Sequence, residues 1–455
     1  MTTIFASQVL TVDGWRSAAR LHIADGRIAS LACDVKPEAG DERHAVIIPA
    51  VANLHSHAFQ RGMAGLAETR GSATDDFWSW RDTMYRFASR MTPEQLEAVA
   101  SQAYMEMLEG GFSRVGEFHY LHRDVQAQHY GDIGEMSSRL AAAAERTGIA
   151  LTLLPVFYAH ASFGGAPPRE HQKRFISSVD EYARLIERCR AILAPQRRAV
   201  LGVAPHSLRA VTPAELAQVL EVARGIGSNT PVHIHIAEQM GEVRDCVSWS
   251  GSRPVRWLLD NSAVDRRWCL VHATHMDADE IAGVAASGAT VGLCPITEAN
   301  LGDGIFPMPA FLEQGGQYGV GSDSNVHISL AAELSLLEYS QRLACRVRNV
   351  VQSNGASTGR TLFQQALTGG SMALGAPVSG LAQGAAADMV SLATREPALI
   401  CRKGDTLLDS WIFAGPGSGV DCVWADGRKL VENGRHTRRE EIARAYRDAM
   451  EELCA

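Results

Sequence analysis

The stretch Val46-Ile47-Ile48-Pro49-Ala50-Val51-Ala52-Asn53-Leu54-His55-Ser56-His57 decides how the chain is read. Its apolar run, Val46–Leu54, reads as a buried strand that delivers two histidines at its end. On an extended strand, residues i and i+2 point to the same side. His55 and His57 therefore offer two imidazoles to one metal ion. Outward from this run, strand-like segments recur at 113–118, 150–157, 199–204, 232–236, 268–271, 289–293 and 318–321, making eight. Segments of helical character, such as Pro93–Glu109 and Gly134–Arg146, separate most of them. Thr92-Pro93-Glu94-Gln95 and Thr212-Pro213-Ala214-Glu215 are helix starts, with a Thr cap, Pro at the first helical position and an acid or amide after it. Eight strand–helix units predict an α/β fold, a (β/α)8 TIM-like barrel. The alternative is a doubly wound open sheet. Polar residues at the C-terminal ends of strands one, two, four, five, six and eight favour the barrel, where they converge on one mouth.

The two chain ends have another style. Ile4–Ala6, Val9–Val12, Ala19–Ile23 and Arg27–Leu31 are short apolar runs, with the turns Asp13-Gly14 and Asp25-Gly26 between them. Such dipeptides predict hairpins. Ala387–Leu392, Val420–Trp424 and the turn Asp426-Gly427 repeat the pattern near the C-terminus. The ends are expected to meet in one small β-sandwich domain, residues 1–47 with 385–455, around a catalytic barrel of residues 48–384. Arg438–Leu453 reads as a surface helix.

A chain of 455 residues can bury a large core. Its formal charge of -8 argues against nucleic acid and against an anionic membrane surface, though not against a small anionic substrate. Nine scattered cysteines with no Cys-x-x-Cys pair read as reduced thiols. No secretory leader and no run of about 18 apolar residues is seen, so a cytoplasmic enzyme is expected.

The metal set expected from strand ends is His55, His57, His235 and Asp323. His233 shares a face with His235, but His235 lies nearer the strand end and has Glu238 three residues on. Three neutral imidazoles and one carboxylate, with a position open to water, suit one catalytic divalent ion, zinc first; iron or manganese also fits. Zinc lowers the pKa of bound water to roughly 7 and so generates hydroxide near neutral pH. Glu238, His272 and Asp323 are placed to move protons. No metal-bridging Lys or Glu stands at an expected strand end, which favours one metal over two. Such a site suits hydrolytic deamination of an amidine-like carbon, where one electrophilic carbon is held and ammonia is protonated as it leaves.

His55-x-His57, His235-x-x-Glu238, His272 and Ser322-Asp323 resemble the signature of the amidohydrolase superfamily in its mononuclear deaminase branch, in order and over nearly the whole chain. Within that branch, Asn53–Gly62, Gly116–His122 and Ala204–Arg209 resemble the N-formimidoyl-L-glutamate deiminase family of histidine degradation. The resemblance implies conversion of N-formimidoyl-L-glutamate and water to N-formyl-L-glutamate and ammonia, with hydroxide attacking the formimidoyl carbon. It also implies substrate-binding roles for Gln60, Arg81, Tyr120, His206 and Arg209, and a homodimer. A dianionic substrate agrees with two arginines, since each guanidinium can hold a carboxylate bidentately. Trp78 and Trp80 read as packing residues under a lid. The rival readings are a mononuclear zinc deaminase of a purine, pterin or other aminated ring, a hydrolase expelling another group, and a scaffold that has lost catalysis.

Overall fold

The first apolar run divides between two sheets. In the computed structural model, which describes residues 2–68, 77–352, 355–415 and 419–455, Glu42–Pro49 and Val51–Ser56 are separate strands. The single strand expected over Val46–Leu54 is thus corrected at Ala50. Ile47 pairs with Val9 on one side and Ser391 on the other, and Pro49 is the last residue paired with the Met389–Leu392 strand. Proline has no N–H with which to continue a ladder. Ala50 N–H then donates to Asp388 O (3.1 Å), and Val51 starts the central parallel set against Phe112.

Val51–Ser56, Phe112–His119, Ala150–Phe157 and Val200–Leu201 form one parallel sheet. Val232–Ile236, Trp268–His272, Thr290–Leu293 and Gln317–Val320 form a second. Isolated parallel bridges link Val203 to Val232, Ser207 to His235, and Ser56 to Asp323. Helices alternate with these strands, and the fold is a TIM-barrel-like α/β fold. Thr92 and Thr212 each complete a reciprocal capping box, with Gln95 and Glu215, at the two helix starts expected from the sequence. The fourth strand, expected over Ala199–Ala204, is broken into Val200–Leu201 and Ala204–Pro205. Gly202 sits at the break in close quarters: a Cβ there would meet Leu154 Cδ2 at 2.6 Å and Pro231 O at 2.8 Å.

Both chain ends enter one eight-stranded mixed sheet. Thr2–Thr11, Gly14–Ala24 and Arg27–Ala32 are joined by the expected turns, but Ile4–Ala6 and Val9–Leu10 belong to one strand rather than two. The C-terminal contribution is Met389–Leu392, Val420–Ala425, Arg428–Glu432 and Arg435–His436. Ile4, Val9, Leu21, Ile28, Met389 and Trp424 share a core cluster apart from the central one. The last helix, Arg439–Cys454, buries Ile442, Ala449 and Leu453, and its Glu452 accepts from the Gln95 amide (2.9 Å). Among the described residues no helix is long and apolar enough to cross a membrane.

Candidate metal centre and active site

Strand pairing brings the candidate ligand residues together. Asp323 N–H donates to His55 O and His57 N–H donates to Asp323 O, both at 2.9 Å, so the end of strand eight lies against the end of strand one. Gly321 permits that approach: a Cβ on it would lie 2.7 Å from both His55 N and His55 O. Gly321→Ala is therefore expected to cost about 1–3 kcal/mol of stability and to lower metal content, as denaturant unfolding and metal analysis will read. Asp323 and His272 have φ of 44° and 68°, a left-handed backbone uncommon for residues with side chains. Such strain persists where surroundings impose it, often at functional sites. Here Asn325 helps impose it, donating to Ser56 Oγ, His57 O and Asp323 O, each at 3.1 Å.

Four ligand atoms converge. His55 Nε2 lies 3.2 Å from His57 Nε2 and 3.0 Å from His235 Nε2. Asp323 Oδ1 lies 3.4 Å from His55 Nε2 and 3.2 Å from His57 Nε2. Ligands about 2.0–2.2 Å from a tetrahedral ion stand about 3.3–3.6 Å apart, so the spacing fits a metal. The tautomers fit as well. His57 Nδ1 is 2.8 Å from Phe118 O, and His235 Nδ1 is 3.1 Å from His206 O. A carbonyl only accepts, so each Nδ1 carries the proton and each Nε2 presents a lone pair. Burial pushes His55 down to about 3 and His235 well below its ordinary value, so both are neutral. Burial alone would raise the Asp323 carboxyl, yet the imidazoles of His55 and His57 against it hold it well below the carboxylate range. Lone pairs and a carboxylate crowded in a buried site need a cation between them. The donor set fits one divalent metal ion. His233 turns elsewhere, 2.7 Å from Ala373 O, and is a packed histidine.

Beside this cluster, His272 Nε2 lies 3.8 Å from both Glu238 Oε1 and Asp323 Oδ2. Its Nδ1 is 3.2 Å from Glu298 Oε1, and Glu298 is fixed in turn by Cys294 N–H (2.9 Å). Burial acts to lower the His272 pKa, but Glu238, the Glu298 hydrogen bond and Asp323 outweigh it and raise the group to about 10. Glu238 is raised by burial, against the pull of His272 and Arg209. A carboxyl group raised in this way holds a proton more readily than a free one, which suits a group that accepts a proton and passes it on.

One cavity gathers nearly every residue singled out in the sequence. His57, Gln60, Arg81, Tyr120, His206, Arg209, His235, Glu238, His272 and Asp323 all line it. His55 is fully buried beside its floor, within reach of His57 and His235. The Gln60 amide donates to Tyr120 Oη (2.9 Å). Arg81 comes from the helix Phe77–Ala88 after strand one, and its guanidinium lies 5.5 Å from the Tyr85 ring centre. Trp80 packs against the central core and also lines the cavity; the side chain of Trp78 lies outside the described set. Sequence reasoning missed Tyr85, Tyr158, Phe175 and Glu298. Tyr85 had a signal, since it follows Arg81 by one helical turn. Glu298 had none, because it sits on the helix Pro295–Leu301 and meets His272 at the end of the preceding strand but one.

The fold and the cluster together define a metal-dependent hydrolase, and the comparisons agree. The model of the Amidohydrolase family matches residues 46–430, and that of the N-terminal domain of formimidoylglutamate deiminase HutF matches residues 1–45. The chain belongs to the amidohydrolase family. It is 49% identical to formimidoylglutamate deiminase of Pseudomonas aeruginosa over 455 residues, 100% of both chains. It is 27% identical to 8-oxoguanine deaminase of the same organism, over 74% of each chain. Among solved structures, an amidohydrolase from Brucella melitensis matches with a TM-score of 0.96 and 55% identity, covering 100% of both chains. A zinc-bound adenosine deaminase from Xanthomonas campestris shares the fold, with a TM-score of 0.83, 20% identity, and 100% of this chain and 98% of that one covered.

Proposed function

We propose that the protein hydrolyses N-formimidoyl-L-glutamate to N-formyl-L-glutamate and ammonia, as a deiminase of histidine degradation. The carrying observation is that Arg81 and Arg209 line the same cavity as the His/Asp cluster. A substrate with two carboxylates and one hydrolysable amidine needs that combination. A purine or pterin has no use for two guanidiniums. The full-length likeness to formimidoylglutamate deiminase supports the same reading.

When bound by His55, His57, His235 and Asp323, a divalent ion, zinc in this proposal, supplies an acidified water. Glu238 takes the water proton and delivers it to the departing nitrogen, from a position 3.8 Å from His272. His272, steadied by Glu298, stabilises the charge that develops on the formimidoyl group. Asp323 Oδ2, on the His272 side, shares the proton load. Arg81 and Arg209 hold the carboxylates, while Gln60, Tyr120 and His206 orient the chain between them. Arg209→Ala is expected to lower kcat/KM for N-formimidoyl-L-glutamate by about 10²–10³-fold, mostly through KM, with Arg209→Lys recovering part of the loss. Steady-state kinetics with unchanged KM in Arg209→Ala would remove Arg209 from the binding role.

The finer architecture is part of the proposal. Bridges at Val203, Ser207 and Ser56 support closure of the eight parallel strands into a barrel over residues 48–384. The separate core of Ile4, Leu21, Met389 and Trp424 supports a β-sandwich domain of residues 1–47 and 385–455. A cytoplasmic homodimer completes the reading, and sedimentation of the purified protein checks its mass.

A further inference from the structure

At the opposite end of the central strands from the metal ligands lies a second cavity of about 410 Å³. It opens between the starts of the strands Val51–Ser56, Phe112–His119 and Val200–Leu201 and the sheet made by the chain ends. Its charged lining is Arg27, Arg114, Arg197, Arg198, Asp388 and Asp426. The protein as a whole carries a net charge of -8, so an excess of cations here is local.

The carboxylates in this cavity are already engaged. Asp388 pairs with Arg198 and accepts from Asp426 N–H (2.8 Å). Asp426 pairs with Arg197 at 2.9 Å. Arg114 and Arg27 are different. Arg114 is 8% exposed and donates only to neutral oxygens, Thr152 Oγ1 at 3.2 Å and Arg198 O at 2.9 Å. Arg27 donates to Gly384 O at 2.8 Å. Among the described residues neither makes an ion pair with a carboxylate, although the charge of Asp388, itself paired with Arg198, reaches Arg114 from farther off. Burial and the nearby Arg198 push the Arg114 guanidinium down to about 10, which still leaves it charged at neutral pH. With both aspartates paired to Arg197 and Arg198, the lining keeps two cations in excess, and a buried guanidinium without a counter-ion of its own is costly unless an anion joins it. The planar guanidinium matches oxyanions in particular.

We propose that this cavity is a binding site for a small dianionic oxyanion, a phosphate or a dicarboxylate, clamped between Arg114 and Arg27 and distinct from the substrate cavity. Binding there ties the starts of the central strands to the chain-end sheet, so its first effect is on stability rather than on turnover.

The test is thermal unfolding of the metal-loaded enzyme, titrated at constant ionic strength with inorganic phosphate and, separately, with succinate. A saturable rise of the midpoint with either anion is expected; the arm that responds more strongly identifies the source. Arg27→Glu is expected to weaken the apparent Kd by about tenfold or more. Arg209→Ala, which impairs the substrate cavity, should leave the shift unchanged. Arg27 is exposed, so its variant remains informative even if Arg114→Gln does not fold. No saturable shift in either titration would overturn the proposal. So would a shift that survives Arg27→Glu and disappears in Arg209→Ala, because the anion would then occupy the substrate cavity.

Discussion

Glu238→Gln is expected to lower kcat by about 10²–10⁴-fold, the usual contribution of a positioned general acid–base group, while metal content stays at its native level. The reason is geometric. Glu238 stands outside the converging set of His55, His57, His235 and Asp323, so its loss removes no ligand. It lines the cavity beside His272, and its burial raises its pKa toward the working range. The amide keeps the shape and hydrogen-bonding reach but can neither take a proton from water nor deliver one to ammonia. KM should change little, because the carboxylate-binding arginines are untouched. Loss of metal in this variant would move Glu238 into the ligand set, and normal turnover would end its proton-transfer role.

His235→Ala should abolish turnover, by more than about 10³-fold, and lower bound metal well below one ion per chain. His233→Ala is the informative partner, since the two histidines lie on one strand with the same facing. His235 Nε2 is 3.0 Å from His55 Nε2, whereas His233 Nε2 is 2.7 Å from Ala373 O. Removing His233 should keep the metal and cost about 1–3 kcal/mol of stability, because a buried carbonyl loses its donor. Metal analysis and denaturant unfolding of the two variants separate a ligand from a packing residue. Equal metal loss in both would contradict the division.

The histidine pair at 55 and 57 was legible because a strand has period two, and the other members of the converging cluster, His235 and Asp323, because each follows an apolar run. The helix starts at Thr92 and Thr212 were legible because a capping box is local chemistry, complete within four residues. The passage of the first run from one sheet to another was not legible. Pro49 is a local stop, but that Val51 resumes in a different sheet depends on partners far along the chain, Asp388 and Phe112. The fourth strand misled for a similar reason: Gly202 interrupts it where Leu154 and Pro231 crowd in, and those neighbours are assembled only by the fold. The same limit hid Glu298 behind His272 and Tyr158 in the cavity wall. Residues whose role follows from their own strand or helix could be read. Those whose role is to touch another loop needed the structure.

A buried His/Asp metal centre beside two carboxylate-binding arginines is proposed to deiminate a dianionic amidine. Its most direct test is incubation of metal-analysed protein with N-formimidoyl-L-glutamate, measuring ammonia and identifying the organic product. Ammonia and N-formyl-L-glutamate are expected in equal amounts, from protein holding about one divalent ion per chain. Formamide with free glutamate would mean that the other C–N bond is cleaved, and absence of turnover by metal-replete protein would mean that the substrate is wrong; either result would contradict the account.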